Sequence, residues 1–384
     1  MKVGILDGHT IQALSFVRSL KKTGFTIVLF CEKKLSYGYY TRYADEKVIC
    51  PSTEGDLEIF HNHLISYLNK NKLDVIFPMN DNSAYYISYY KLQLEKFVKI
   101  LSPPFSVFIS GYDKNKLMNI CRKNNHPHPR TIDLENYNLE EVENIFRFPA
   151  LIKPNQTSGA RGFKKIHNLK ELNKYYPLIQ DEYGNCHLQE YIPKGGKQFK
   201  AQLLFNGTKI IAHSAIQKHR YYPINGGSSC FIETIENKKI IDICTKVLKD
   251  LNWVGFADFD LIEDPRDNEI LIMEINPRVP ACIKASIISG VDFPNLMVNL
   301  TLNKKPFEYK YNPGKYLRFL GLDILWLITV KKDFQTIKIW FQSFFNKDHK
   351  FQDIEFDDFP AFFAGTIDNL SKQLDSSFRK RKNK

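Results

Sequence analysis

No C-x-x-C pair occurs among the seven cysteines of this 384-residue chain, and their number is odd. Cys31, Cys50, Cys121, Cys186, Cys230, Cys244 and Cys282 are scattered. That spacing argues against a disulfide framework or a zinc knuckle and fits a reducing compartment. No G-x-G-x-x-G follows the first apolar run, so a dinucleotide site of that kind is not expected. There is no G-x-S-x-G elbow either, so the chemistry must do without that nucleophile. Long apolar runs are also missing. The most apolar late stretch, Leu317 to Val330, is interrupted by Arg318 and Asp323 and is too short to span a bilayer. The opening run, Met1 to Asp7, is too short for a signal peptide and reads as a first strand. A cytoplasmic location is expected.

What is present is ordinary globular composition, with 43% hydrophobic and 25% charged residues. The length predicts two or three domains. The net charge is +12, but Arg379 to Lys384 carry five Lys or Arg, which leaves +7 for the rest. With no zinc-finger spacing and no aromatic-plus-basic RNA motif, that charge does not read as nucleic-acid binding. A basic body suits anionic small ligands such as nucleotides.

Strand-like and helix-like runs alternate over residues 1–100. Strands are expected at Lys2–Leu6, Thr26–Cys31, Glu46–Cys50 and Asp74–Pro78, with a helix carrying Leu57, Phe60, Leu64 and Leu68 on one face. This rhythm predicts a parallel sheet flanked by helices. His9, Glu32, Asn80 and Asp81 fall beyond the carboxyl ends of its strands, where they serve either a ligand or turns and helix caps. After about Ser110 the pattern changes. Strands expected at 150–153, 188–192, 199–205, 210–215, 255–262 and 270–275 have short connections, which argues for antiparallel pairing. An α/β module therefore precedes an α+β module. His126 and His128 sit among prolines and read as a turn, not a metal site.

Two segments carry chemistry. The strand Ala150–Lys153 ends in a lysine, and Asn155 to Phe163 then supplies two glycines, Ser158 and Arg161, a loop able to surround phosphate oxygens with backbone N–H groups. Further on, Asp258 and Asp260 share one face of a strand, and Glu274 and Asn276 share one face of the next. The turn Glu263 to Asn268 should pair the two strands as a hairpin. Asp260, Glu274 and Asn276 would then offer hard oxygens suited to Mg²⁺ held together with phosphates.

Lys153-Pro154 with its glycine loop, Gln189-Glu190-Tyr191-Ile192 and Glu274-Ile275-Asn276-Pro277-Arg278, in this order, resemble the ATP-grasp ligases. Among them the D-aspartate ligase-like and carbamoyl phosphate synthetase-like carboxylate–amine ligases are the nearest in kind. The resemblance implies a pre-ATP-grasp α/β domain at 1–109 and an ATP-grasp domain at 110–308, with lobes at about 110–190 and 191–308. A C-terminal extension with a basic tail would occupy 309–384. It implies ATP and Mg²⁺ (or Mn²⁺) as cofactors. Lys114 and Lys153 would reach the phosphates, and Ser158, Gly159 and Gly162 would belong to the loop closing over them. Gln189, Glu190 and Ile192 would meet the adenine and Gln198 the ribose. Asp260, Glu274 and Asn276 would hold the metal, with Asp258 in the shell behind it, and Arg278 would steady the reacting oxygens. The implied reaction activates a carboxylate as an acyl phosphate and joins it to an amine. A carboxylase, a carboxylate–thiol ligase and a nucleotide-binding regulatory module are the alternatives.

The segment Gln217 to Ser229 combines cations, aromatics and a glycine pair and reads as a loop over an anionic substrate. Gln217, Arg220, Gly226 and Gly227 are its candidate contacts. The substrates implied are small-molecule or glycoconjugate carboxylates and amines. Beyond Tyr309, Phe334, Ile337, Trp340, Phe341, Phe344 and Phe345 recur at helical spacing and read first as core. Lys331, Lys332, Lys338 and Lys347 among them leave an interfacial helix, and so peripheral membrane contact, as the alternative.

Overall fold

The protein is described from a computed structural model that covers residues 1–157, 161–224, 227–305, 307–330 and 333–374. Its first module is a parallel five-stranded sheet of order β3-β2-β1-β4-β5. The strands are β1 (Lys2–Ile5), β2 (Thr26–Cys31), β3 (Glu46–Ile49), β4 (Val75–Phe77) and the two-residue β5 (Lys99–Ile100). Val3, Ile5, residues 27–31 and residues 75–77 are all buried, as expected of strands covered on both faces. Four of these strands fall where the alternation predicts them. The fifth is too short to carry a periodicity.

Asp7 ties the carboxyl ends of β1 and β4 together. It sits in the left-handed region at φ 53°, and its buried carboxylate accepts from the Met79 and Asn80 amides and from the Ser83 hydroxyl. Asn80 caps the helix Asp81–Tyr89 in a capping box with Ser83, so for Asn80 the helix-cap reading holds.

A small antiparallel sheet follows, of order β6-β9-β7-β8, built from β6 (Thr131–Asp133), β7 (Ala150–Pro154), β8 (Lys164–Ile166) and β9 (Cys186–Glu190). The large sheet has the order β14-β13-β10-β11-β12-β15-β16. It comprises β10 (Gln198–Asn206), β11 (Ile210–Tyr222), β12 (Ser228–Ile235), β13 (Val254–Glu263), β14 (Ile270–Asn276), β15 (Tyr316–Arg318) and β16 (His349–Phe351). Its strands pair antiparallel except β15 with β16. The helix Lys238–Asp250 buries Ile240, Cys244, Val247 and Leu248 against Leu203, Phe205 and Phe259 of this sheet.

Helices Ile283–Ile288 and Phe293–Thr301 then join the modules. Ile283, Phe293 and Leu296 share one apolar cluster with Val3, Ile5 and Phe16. The chain after 309 adds β15 and β16 to the large sheet and returns to the first module through the helix Phe359–Leu374. There the buried Asp358 accepts from Arg18 at 2.8 Å, from Thr41 at 2.6 Å and from the Arg42 amide at 3.1 Å. All seven cysteines are free and buried, in keeping with their scattered spacing.

One expectation about shape is corrected. The segment Gln217 to Ser229 is mostly a β-ribbon, because β11 runs to Tyr222 and β12 starts at Ser228. The ladder continues through Arg220↔Phe231 and Tyr222↔Ser228. Alternating side chains within that segment satisfied strand periodicity, and the glycine pair drew the loop boundary too early.

Candidate active site

The four oxygen-bearing residues of the hairpin come together as their alternation requires. Asp258 lies opposite Asn276 and Asp260 opposite Glu274 in the β13–β14 register. Asn276 donates its amide to Asp260 at 3.0 Å, and Arg278 donates to the Asn276 carbonyl at 3.3 Å. Arg278 also pairs with Asp81 at 3.3 Å, so the site lies where the helix Asp81–Tyr89 of the first module meets the large sheet.

Two lysines that the sequence reading did not assign complete this face. Lys200 on β10 bridges Asp258 at 2.6 Å and Asp260 at 3.0 Å, and Lys218 on β11 reaches the other oxygen of Asp260 at 2.5 Å. Burial drives the Asp258 carboxyl up, only partly offset by Lys200. Burial acts on Asp260 in the same way, but two lysines overcome it and hold that carboxyl well below its usual range. Burial disfavours the charge on Arg278, yet Asp81, Asp258, Asp260 and Glu274 more than compensate, and its pKa is raised.

The phosphate-side residues converge on Glu274 from the other lobe. Asp113 caps the helix Lys114–Lys123, which presents Lys114 at its first turn. The Lys114 amide donates to the Asn155 carbonyl, its ammonium donates to the Thr157 carbonyl, and Gln156 donates to Asp113. The base of the glycine loop is thereby pinned to a helix N-terminus, a place that favours anions. Lys114 stands 3.4 Å from Glu274.

Lys153 is buried on β7, donates to the Gln189 side-chain oxygen at 2.6 Å and lies over the Phe163 ring. Burial, with Lys114 nearby and Glu274 opposing, lowers its pKa to about 8. Gly162 has φ +73°, and a Cβ there would stand 2.7 Å from Pro154, so the loop's return needs glycine. Ser158 and Gly159 lie outside the described residues.

Several nucleotide-side expectations find other partners. Gln189, expected at the adenine, spends its carbonyl on Lys153 and donates to Thr131 at 3.3 Å. The Glu190 amide donates to the Arg130 carbonyl, and its carboxylate pairs with Arg266 at 2.6 Å. Ile192 is buried just past the end of β9. Gln198 starts β10 opposite Lys218, which places it beside the charged face.

The substrate contacts divide. Gln217 lies opposite Phe199 and Glu233 on β11, the Gly227 amide donates to the Pro223 carbonyl, and Gly226 lies outside the described residues. Arg220 is a correction. Its guanidinium donates to both oxygens of the fully buried Asp323 at 3.1 Å and lies against Phe231 and Trp326. A charge already matched to a buried carboxylate is not free to grip a substrate.

Residues 112–282 match the ATP-grasp domain family. The chain contains an ATP-grasp domain. Among curated relatives, this chain is 23% identical over 362 residues to D-aspartate ligase of Enterococcus faecium, covering 86% of this chain and 83% of that one. It is 20% identical to the carbamoyl phosphate synthase large chain of Clostridium perfringens, covering 78% of this chain but 28% of that longer protein. Among solved structures, a biotin carboxylase–β,γ-ATP complex from Campylobacter jejuni superposes with a TM-score of 0.68 at 16% identity. That match covers 82% of this chain and 74% of the other, and it establishes the ATP-grasp fold together with its preceding α/β module.

A cation bound to an ATP-grasp site must find hard oxygens here. Among the described residues no three His, Cys, Asp or Glu side chains gather at metal-holding spacing. The fit therefore rests on Glu274, Asn276 and Asp260 together with phosphate oxygens, the kind of shared site Mg²⁺ takes. Glu274 is the partly exposed member. Asp260 would have to exchange a lysine for the ion.

Proposed function

We propose that this chain is an ATP-grasp carboxylate–amine ligase working through an acyl phosphate. One observation carries the proposal: Lys114, Lys153, Lys200, Lys218 and Arg278 surround the Asp258–Asp260–Glu274–Asn276 face in a buried cleft between lobes. Cations in that excess fit a triphosphate and the charge that moves between phosphoryl and acyl oxygens. The D-aspartate ligase relative, matched over most of both chains, supports an amino acid as one of the joined partners.

In this reading, Lys114 and Lys153 hold the phosphate chain, and the pinned base of the glycine loop presents backbone N–H groups to it. Glu274 and Asn276, with Asp260 once a lysine has moved aside, would hold Mg²⁺, which would offset the charge of the phosphate oxygens. A carboxylate oxygen attacks the γ-phosphorus and the bond to the ADP oxygen breaks. Arg278, half-buried and held charged, faces the oxygens that carry the moving charge. The amine then attacks the acyl carbon, the C–O bond to phosphate breaks with its electron pair, and the amine proton is released. The fold alone does not separate this from carboxylation.

The test is release of ADP and phosphate with a panel of amino acids, sugar acids and peptides, each offered with and without an amine. Turnover that needs both a carboxylate and an amine, with amide formed in equal amount, is expected. Turnover that responds to bicarbonate or a thiol and ignores amines would overturn the proposal.

A further inference from the structure

Large apolar side chains are exposed unevenly over this molecule. Of twenty-three such residues among those described, eleven lie between Ile324 and Ile367, and seven of those are phenylalanines. Scattered exposed apolar residues need no explanation, but a concentration of this kind marks a contact surface.

The helix Phe334–Gln342 and the turn after it show how the surface is built. One side faces the protein: Trp340 is buried and donates to Asp323, while Phe344 packs on Trp340 and on the guanidinium of Arg318. The opposite side repeats Phe334, Lys338, Phe341 and Phe345 at i, i+4, i+7 and i+11, one continuous stripe. Phe334 is 82% exposed, Phe341 57% and Phe345 89%. The helix is thus apolar on two sides, and only one is covered.

Charge indicates what covers the other. Lys338 lies inside the stripe, Lys347 and Lys350 are exposed just beyond it, and five of the last six residues of the chain are basic. Asp333 is exposed at the N-cap of the helix, where its carboxylate accepts from the Thr336 amide and hydroxyl, and four other acidic residues of the region are paired with cations. Asp323 pairs with Arg220, Asp348 with Lys315, Glu355 with Lys284, and Asp358 with Arg18. Around the aromatic stripe the exposed cations Lys338, Lys347 and Lys350 outnumber the exposed Asp333, which leaves an excess of positive charge. A second copy of this chain meeting the stripe face to face would set like charges together. No helix among the described residues is long and apolar enough to cross a membrane.

We propose that the stripe Phe334–Lys338–Phe341–Phe345 docks this enzyme on an anionic lipid surface, with the phenyl rings in the interface and the lysines at the headgroups. Such binding grows with buried apolar area and with attraction to anionic lipid, and salt weakens the second part.

The experiment is co-sedimentation of the full chain with vesicles of phosphatidylcholine, with and without phosphatidylglycerol. Binding is expected with phosphatidylglycerol and should fall with salt. The combined variant Phe334→Ser, Phe341→Ser and Phe345→Ser should partition at least about tenfold less, and Lys338→Glu should lose the preference for anionic lipid. These side chains are exposed, so both variants should keep the wild-type circular dichroism and melting transition. A wild-type chain that stays in the supernatant at low salt, or a triple variant that sediments as well as wild type, would overturn the proposal. So would self-association without lipid that the triple variant abolishes, since the stripe would then be an interface between copies.

Discussion

Lys114 and Glu274 stand 3.4 Å apart, one at the first turn of the helix that pins the glycine loop, the other on the edge strand β14 of the large sheet. The contact joins the two halves of the cleft through a pair that a bound nucleotide and its cation would each compete for. Lys114 is buried, whereas the Glu274 side chain is 30% exposed and is not locked by burial.

Glu274→Ala should therefore cost little stability, within about 0.5 kcal/mol for a partly exposed position. Turnover should nevertheless fall by at least about a hundredfold, because a phosphate-bridging oxygen is lost. Asp258→Ala should behave in the opposite way. It opens a fully buried vacancy beside Lys200, which keeps only Asp260, and should cost about 1–3 kcal/mol. Thermal melts and single-turnover rates on the two variants separate holding a metal from holding the fold. Undiminished turnover in Glu274→Ala would remove that residue from the metal set.

The pKa of Lys153 sets a pH dependence. Its folded value of about 8 lies below the ordinary 10.5, so in the free protein the neutral form takes over at a lower pH than in an ordinary lysine. Folding stability should rise as pH passes from about 8 towards 10.5, where the unfolded lysine still binds a proton and the folded one does not. Phosphate beside this lysine favours its charged form. ATP binding near pH 9 should thus take up a proton, and affinity should fall as pH rises through that window. Calorimetry in buffers of different ionisation enthalpy reads the uptake directly. Binding with no proton linkage between pH 8 and 9 would show that the phosphates do not reach Lys153.

Arg220 and Asp323 give a prediction about stability rather than substrate choice. Asp323 is fully buried and faces Arg220, with Arg318 at 3.4 Å, so two guanidiniums share one carboxylate. Asp323→Ala should destabilise by about 3–5 kcal/mol, since both charges lose their partner. Arg220→Lys should lose the stacking of the guanidinium on Phe231 and Trp326 and loosen the contact that one of its nitrogens makes with both Asp323 oxygens. It should lower the melting temperature while leaving the Michaelis constants within about twofold. A large rise in the Michaelis constant for one substrate, with an unchanged melt, would return Arg220 to the substrate site.

The parts of this site that could be read from the sequence are those fixed by local period. Asp258 and Asp260, and Glu274 and Asn276, share faces because strand side chains alternate, and the turn between them leaves one pairing available. Lys114 was legible through its place at a helix start. Lys200 and Lys218 were not, because their role depends on β10 lying between β13 and β11, and no local pattern encodes which strands are neighbours. Arg220 was misread for the same reason, since its partner lies 103 residues further along the chain. Gln189 was read by position, while its side chain follows the nearest buried cation, Lys153.

Arg278 offers the sharpest separation of roles. It is half-buried, donates to the Asn276 side-chain carbonyl and pairs with Asp81 of the first module, so its guanidinium is fixed before any substrate arrives. A lysine there could keep one of these contacts but not both, because a single ammonium cannot reproduce the planar fork. Arg278→Lys should lower the turnover number by about ten- to a hundredfold, in line with a lost charge-assisted contact of about 1.5–3 kcal/mol. ATP affinity should change little, because Lys114 and Lys153 carry the ground-state phosphates in this reading. Asp81→Asn is the control. It weakens the hold on Arg278 without touching the reacting groups and should give a smaller loss of the same kind, with the pH profile unchanged. A rise in the Michaelis constant for ATP with a normal turnover number in Arg278→Lys would place the guanidinium on the bound nucleotide instead of on the charge that moves.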